Sequence, residues 1–261
     1  MALIKHTILK LQGVLSYFLY VPLFPLLPVI LRQGKSVKAN TLRLPEADGL
    51  RHSVVQNSVA ENSDAVIRHR SLLHIGESTV AGVGVKSFEE GLTANIIRDL
   101  NSGSQQAWLW QAIGKNGAVA IDLSKHIAET ELHRAPDVIL LTMGVNDTTS
   151  FTTASVWQKS LVGCIENITS ALNSTPKVCV TQVPPMHLFP ALPFPLNVFL
   201  GLRAWQLDNR LRQVCLLEGW SHLTIEMPLQ KEWMAEDGYH PNAEGYKLWA
   251  EKISALLPSY K

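Results

Sequence analysis

Apolar positions change their rhythm near residue 70. Before it lies one long run, Val14 to Leu31, 18 residues without a charge and with only Ser16 among apolar and aromatic side chains. After it, short apolar runs alternate with stretches of helical spacing. Ser71–Ile75, Trp108–Ile113, Val138–Met143, Lys177–Gln182 and His222–Met227 have the length and composition of buried strands. Phe88–Leu100 sets Phe88, Leu92, Ile96 and Leu100 on one helical face. Val119–Leu132, Ala154–Leu172, Leu202–Glu218 and Ala243–Leu257 read as further helices, and a proline-rich stretch, Val183–Leu200, follows the fourth strand. Strands buried on both faces and alternating with helices predict a parallel sheet. Right-handed crossovers then give a three-layer α/β/α sandwich around a five-stranded parallel sheet.

The pattern divides the chain into an apolar N-terminal segment (1–40), a polar linker and lead-in (41–70) with a turn signal at Pro45–Gly49, and the α/β domain (71–261). As one helix, Val14–Leu31 would span about 27 Å, close to the roughly 30 Å of a bilayer core. Lys5 and Lys10 precede it, and Arg32, Lys35, Lys38 and Arg43 follow. Arg32-Gln33-Gly34-Lys35 offers no signal-peptide cleavage site. Pro22, Pro25 and Pro28 oppose a straight helix, and the alternative is an arm folded onto the domain. The expectation is a membrane anchor or monotopic insertion through Val14–Leu31, hence a membrane-associated protein. If the run spans the bilayer, the heavier basic flank would set the domain on the cytoplasmic side.

Composition narrows the function. With 46% hydrophobic and 17% charged residues the chain is not disordered. A formal net charge of +1 provides no field for nucleic acid, so no nucleic-acid partner is expected. Cys164, Cys179 and Cys215 are odd in number and widely spaced, which argues against a disulfide scaffold, zinc knuckle or redox pair. The nine histidines show no His-x-x-x-His arrangement, and neither metal nor cofactor is expected.

In doubly wound folds the chemistry sits beyond the carboxyl ends of the strands. The first such loop is Gly76-Glu-Ser-Thr-Val-Ala-Gly82, with Ser78 in a strand-to-helix turn. Val80 stands where the nucleophile elbow of α/β-hydrolases requires glycine, so this is a different turn. The second loop is Gly114-Lys-Asn-Gly117, the third Gly144-Val-Asn-Asp147, and the last Asp237-Gly-Tyr-His240. Each alone is an ordinary turn or cap. Together they supply a nucleophile, a base with an orienting carboxylate three residues before it, and oxyanion donors, the parts of acyl transfer. Ser78 Oγ would attack, His240 would take its proton and Asp237 would orient His240. The N–H groups of Ser78 and Gly117 and the Asn146 amide would hold the oxyanion.

The chain resembles the SGNH (GDSL-type) hydrolases at Ser78, Gly117, Asn146 and His240, and at Asp237 of their Asp-x-x-His block. The likeness runs from about Leu72 to Leu257. It implies a flavodoxin-like sandwich, esterase or lipase chemistry and no metal. One departure is Gly76-Glu77-Ser78 where the family has Gly-Asp-Ser. Gln182–Met186 through Leu200 and the lead-in Leu42–Glu46 also resemble a bacterial, membrane-associated branch, implying an inner-membrane location.

The expected function is a serine ester hydrolase, carboxylesterase- or lysophospholipase-like, acting on a small-molecule or lipid ester. Two alternatives stay open: an O-deacetylase or acyltransferase on a glycan, and a catalytically silent membrane-tethered binding module. The apolar residues of the proline-rich stretch, among them Met186, Leu188, Phe189 and Phe194, read equally as a cap over the sheet or as a wall for an acyl chain.

Overall fold

A period-two split in the strands sets the layers. In β1 (Arg70–Gly76), Leu73 and Ile75 face one side and Leu72 the other; in β3 (Val138–Thr142), Ile139 and Leu141 oppose Val138 and Leu140. All are nearly inaccessible, as strands covered on both faces must be. The computed structural model describes residues 16–53, 69–102, 107–225 and 229–258. With β2 (Trp108–Gly114), β4 (Lys177–Thr181) and β5 (Ser221–Leu223) the sheet has the order β2-β1-β3-β4-β5, all parallel. This is the doubly wound flavodoxin-like order.

Seven α-helices are described: α1 (Leu27–Asn40), α2 (Leu92–Ser102), α3 (Leu123–Ala128), α4 (Val145–Thr149), α5 (Ala154–Leu172), α6 (Leu196–Glu218) and α7 (Ala243–Leu256). Ile96 of α2 and Tyr246, Ala250 and Ile253 of α7 pack on Leu72 and Leu140. Leu123 of α3, Trp157 and Leu161 of α5, and Leu207 and Leu211 of α6 cover Ile75, Ile139 and Leu141 on the opposite face. The sandwich matches the architecture expected from the pattern.

The boundaries differ where side chains or glycine override the spacing. The helix expected over 119–132 is an α-helix only at Leu123–Ala128, after a 3₁₀ turn at Ala120–Asp122. Thr130 Oγ1 donates to the His126 carbonyl, and Gln111 on the edge strand bonds the Glu131 carbonyl and the His133 N–H. The backbone is thus satisfied without a helix. Conversely, α6 starts six residues before the expected Leu202. Gly201 is the point where the helix meets His187; a Cβ there would lie 2.6 Å from His187 Cβ. The strand expected over 222–227 leaves the ladder after Leu223, and residues 226–228 fall outside the described residues.

The run from Val14 to Leu31 begins outside the described residues and is not one helix within them. Ser16–Leu26 is a 3₁₀ helix containing Pro22 and Pro25, and α1 begins with Pro28 in its first turn. At three residues per turn, Pro22, Pro25 and Pro28 stack on one face, where their missing donors leave the other faces intact. Both helices lie on α6: Tyr20 Oη donates to Gln206 Oε1 at 3.0 Å, Tyr20 packs edge-on against Phe199, and Ile30 is buried in the core. No helix among the described residues is long and apolar enough to cross a membrane. Beyond α1, residues 47–53 cover the sheet edge: Ala112 N–H donates to the Arg51 carbonyl, Ser53 N–H to the Trp110 carbonyl, and His52 bridges Gln111 antiparallel. The three cysteines are buried and unpaired, and burial pushes their thiols up to about 11 or 12.

Candidate active site

The serine turn depends on glycines that let backbone approach backbone. Gly76 ends β1 and pairs in register with Gly114 and Thr142. A Cβ on Gly76 would come within 2.0 Å of the Thr142 carbonyl oxygen, and one on Gly114 within 2.4 Å of the Ala81 nitrogen. Residues 77–83 can therefore fold back over the strand ends, closed by Val80 and Ala81 N–H bonds to the Glu77 carbonyl and a Val83 N–H bond to the Ser78 carbonyl. Gly84, at φ +106°, leaves no room for a Cβ beside the Pro241 carbonyl and brings the last loop against the serine turn. Buried Tyr246 of α7 adds a tie, its hydroxyl donating to the Val83 carbonyl at 2.6 Å.

This approach joins residues 162 positions apart. Ser78 Oγ lies 2.8 Å from His240 Nε2, and His240 Nδ1 lies 2.5 Å from Asp237 Oδ2. Asp237 Oδ1 also accepts the N–H groups of Tyr239 and His240 at 2.9 and 3.0 Å. Burial alone would raise the Asp237 carboxyl, but the bonds from the His240 side chain and from the two N–H groups outweigh it and hold it below its usual value. Asp237 is therefore an anion beside the imidazole. A proton on Nδ1 faces it and leaves Nε2 free to accept from Ser78.

The two remaining expected residues are tied to the same loops through neighbours. Glu77, 3% exposed, accepts Val145 N–H at Oε1 (3.0 Å) and Asn146 N–H at Oε2 (2.9 Å), at the start of α4. Asn146 Nδ2 donates to the Ala118 carbonyl at 3.1 Å, next to Gly117, whose φ is +79°. An amide carries two N–H bonds, so one donor of Asn146 stays available. Among the described residues the N–H groups of Ser78 and Gly117 have no acceptor.

Two carboxyls lie beneath these loops: Glu77, noted in the sequence only as a departure from the family, and Asp147, which the sequence did not single out. Burial, opposed by the bonds from Asn146 and Val145 and reinforced by Asp147, pushes Glu77 up to about 7. Asp147 accepts the Ala120 N–H with both oxygens, at 3.0 and 3.2 Å, and burial pushes it up to about 6. Asp147 thus ties the third loop to the second, as Glu77 ties it to the first. The only signal in sequence was an acidic residue beside each of Ser78 and Asn146. Among the described residues no group of three or more His, Cys, Asp or Glu is arranged for a metal ion. A surface cavity of about 860 Å³ lies at the opposite end of the sheet near Lys177 and Ser221 and contains none of these residues.

The model of the GDSL-like Lipase/Acylhydrolase family matches residues 74–248, well over half of the chain and all four loops. The chain belongs to this family. As a member of it, the protein is a hydrolase of the esterase/lipase type acting on ester bonds. No curated protein sequence matches it. Solved structures share the fold. The lipase/acylhydrolase from Enterococcus faecalis is 20% identical with a TM-score of 0.53, the match covering 74% of this chain and 100% of that one. The psychrotrophic esterase EstA from Pseudoalteromonas sp., inhibited by monoethylphosphonate, is 16% identical with a TM-score of 0.55, over 71% and 95% of the two chains. An extracellular lipase from Streptomyces rimosus is 14% identical with a TM-score of 0.53, over 72% and 100%. The match to Enterococcus thus leaves a quarter of this GDSL-like hydrolase without a counterpart.

Proposed function

We propose that the protein cleaves carboxylic esters, of a lysophospholipid or similar acyl compound, with Ser78 as nucleophile, His240 as general base and Asp237 as its orienting anion. Ser78 Oγ attacks the acyl carbon as its proton passes to His240 Nε2. The tetrahedral oxygen is held by the N–H groups of Ser78 and Gly117 and by the Asn146 amide. Collapse breaks the bond to the alcohol oxygen, which takes the proton from His240. Water, deprotonated by the same imidazole, then releases the carboxylic acid and restores the serine. The observation that carries this reading is the unbroken line from Ser78 Oγ to His240 Nε2 and from Nδ1 to Asp237, 2.8 and 2.5 Å. An apolar acyl group is favoured by the proline-rich stretch, which adjoins the triad loop through Tyr239 on Phe189 and the Ala191 carbonyl. Met186, Phe189 and Leu192 are core, while Leu188 and Phe194 stay exposed.

A fluorophosphonate probe tests the assignment. It should label the parent protein at Ser78 and leave Ser78→Ala unlabelled; His240→Ala should label at least a hundredfold more slowly. Equal labelling of Ser78→Ala would show that another residue is the nucleophile.

A further inference from the structure

The N-terminal helices bury one face and leave a very different one outward. Tyr20, Leu23, Leu26 and Ile30 turn toward α6 and the core. The positions between them form a second row, Phe18, Val21 and Phe24 at the spacing of a 3₁₀ helix, then Leu27 and Leu31 at that of an α-helix, all exposed. Phe18 and Phe24 are 67% and 70% exposed. Further along α1 the same face continues as exposed Lys35 and Lys38, with exposed Arg32 beside it. A row of large apolar side chains that ends in lysines suits the boundary between acyl chains and headgroups, where lysine stems lie along lipid and their charges reach outward.

Charge points the same way. The first 45 residues hold six basic residues and no Asp or Glu, a net charge of +6, whereas residues 46–261 carry 17 basic against 22 acidic. The overall +1 hides a strongly polarised molecule that would meet an anionic surface with this segment first.

The same segment borders the candidate site. Gln33 Nε2 donates to the Phe194 carbonyl and its Oε1 accepts Leu196 N–H, fastening α1 to the proline-rich stretch. The Thr41 side chain lies against the hydroxyl of Tyr239, the neighbour of His240. Glu46 Oε1 accepts Asn116 N–H and the Leu44 carbonyl accepts from the Asn116 side chain, one residue from Gly117. Residues 33–46 thus run along the rim formed by the catalytic loops.

We propose that the outer face of residues 18–38 docks on an anionic lipid bilayer, lying in its interface, and sets the Ser78 site beside the lipid. Docking stands on the apolar row and the charge alone; that its consequence is hydrolysis of lipid-borne esters rests on the function proposed above.

The test is flotation of the full-length protein with vesicles of phosphatidylcholine alone or with about one third phosphatidylglycerol. The protein should float with the anionic vesicles, at least tenfold less with neutral ones, and be released by high salt. Combined Arg32→Gln, Lys35→Gln and Lys38→Gln should weaken anionic-vesicle binding roughly a hundredfold, about fivefold per charge. Phe18→Ser with Phe24→Ser should weaken it at least tenfold. Both variants should melt within a few degrees of the parent, and Ser78→Ala should float like the parent, so loss of hydrolysis and loss of docking are separate results. Flotation that ignores lipid charge and yields only to detergent would mean a buried anchor, and no flotation would mean no docking; either overturns the proposal.

Discussion

The carboxylate of Glu77 accepts the backbone N–H of Asn146 at 2.9 Å, so the residue before the candidate nucleophile fixes the residue whose amide would meet the oxyanion. Its other oxygen holds Val145 N–H, making Glu77 a two-pronged cap on the first turn of α4, a helix of five residues that has little stability of its own. One side chain therefore ties Asn146 to the turn that carries Ser78, 68 residues away. The family's aspartate at this place is one methylene shorter.

Glu77→Asp should draw α4 inward or lose one of the two bonds. Either outcome misplaces the Asn146 amide while leaving the Ser78–His240 pair alone. We expect kcat on an aryl ester to fall about tenfold or more with KM nearly unchanged, because the affected contact forms with the oxyanion and not with the bound ester. Parallel steady-state kinetics of the parent and the variant give the comparison. A change in KM alone would place Glu77 in substrate binding.

Titration of Glu77 gives a second expectation. Its folded value of about 7 lies above the ordinary value of 4.5, so the native state holds this proton more tightly than the unfolded chain. Its contribution to stability is full below about 4.5 and is lost as pH rises through about 7, on the order of 3 kcal/mol in total. Asp147, raised to about 6, acts in the same direction over a lower window. Urea midpoints at pH 4.5 and 7.5 should therefore fall further for the parent than for Glu77→Gln, even though glutamine offers only one acceptor to two donors and is less stable throughout. Identical slopes would mean that Glu77 stays ionised across the range.

The sheet was legible because its strands are short, apolar and buried on both faces, a signal that depends little on context. Val138–Thr142 and Ala154–Leu172 illustrate it, the latter helix agreeing at both ends with the spacing. The residues of the candidate site could be picked out for a different reason: the proposed nucleophile, base and orienter are chemistry-bearing types at loops whose position the sheet already dictates. The start of α6 was set six residues late, and the glycine just before the expected start, Gly201, serves a contact with His187 inside the helix. Asp147 was missed as a site-building group, and Glu77 was noticed only as a departure from the family, because burial, not residue type, gives them their role. The apolar run at the N-terminus carried two meanings, one inward and one outward, and composition alone cannot separate faces that a threefold or a 3.6-fold period sorts.

Asn146→Ala removes one proposed oxyanion donor and the bond to Ala118. With the Glu77 cap made by backbone N–H groups, α4 should hold its place. The expected loss is roughly 10²–10³ in kcat with little change in KM, since the amide meets charge that develops in the transition state. Fluorophosphonate labelling of Ser78 should slow as well. Full activity in the variant would leave the oxyanion to the Ser78 and Gly117 N–H groups alone.

The last prediction concerns the seat of α1. Ile30 is 3% exposed and packs in the same cluster as Leu196 and Leu200 of α6, so its truncation removes buried methyl groups from a filled site. Ile30→Ala in a core normally costs about 2–5 kcal/mol. The full cost appears in global stability only if α1 unfolds together with the domain; if α1 lifts off first, the loss is capped at the free energy of seating it. The bonds of Gln33 to Phe194 and Leu196 tie the helix to the start of α6, and the contacts of Leu44 and Glu46 with Asn116 tie the following residues to the second loop. Those ties on both sides argue for one cooperative unit. We therefore expect Ile30→Ala to lower the urea midpoint of the whole domain by the equivalent of about 2 kcal/mol or more, in a single transition. Removal of residues 1–40 should do the same to a larger degree and expose the apolar side of α6, giving a protein that aggregates unless detergent is present. A truncated protein that melts like the parent and hydrolyses a water-soluble ester at the parent's rate would show that the N-terminal helices rest on the domain without stabilising it.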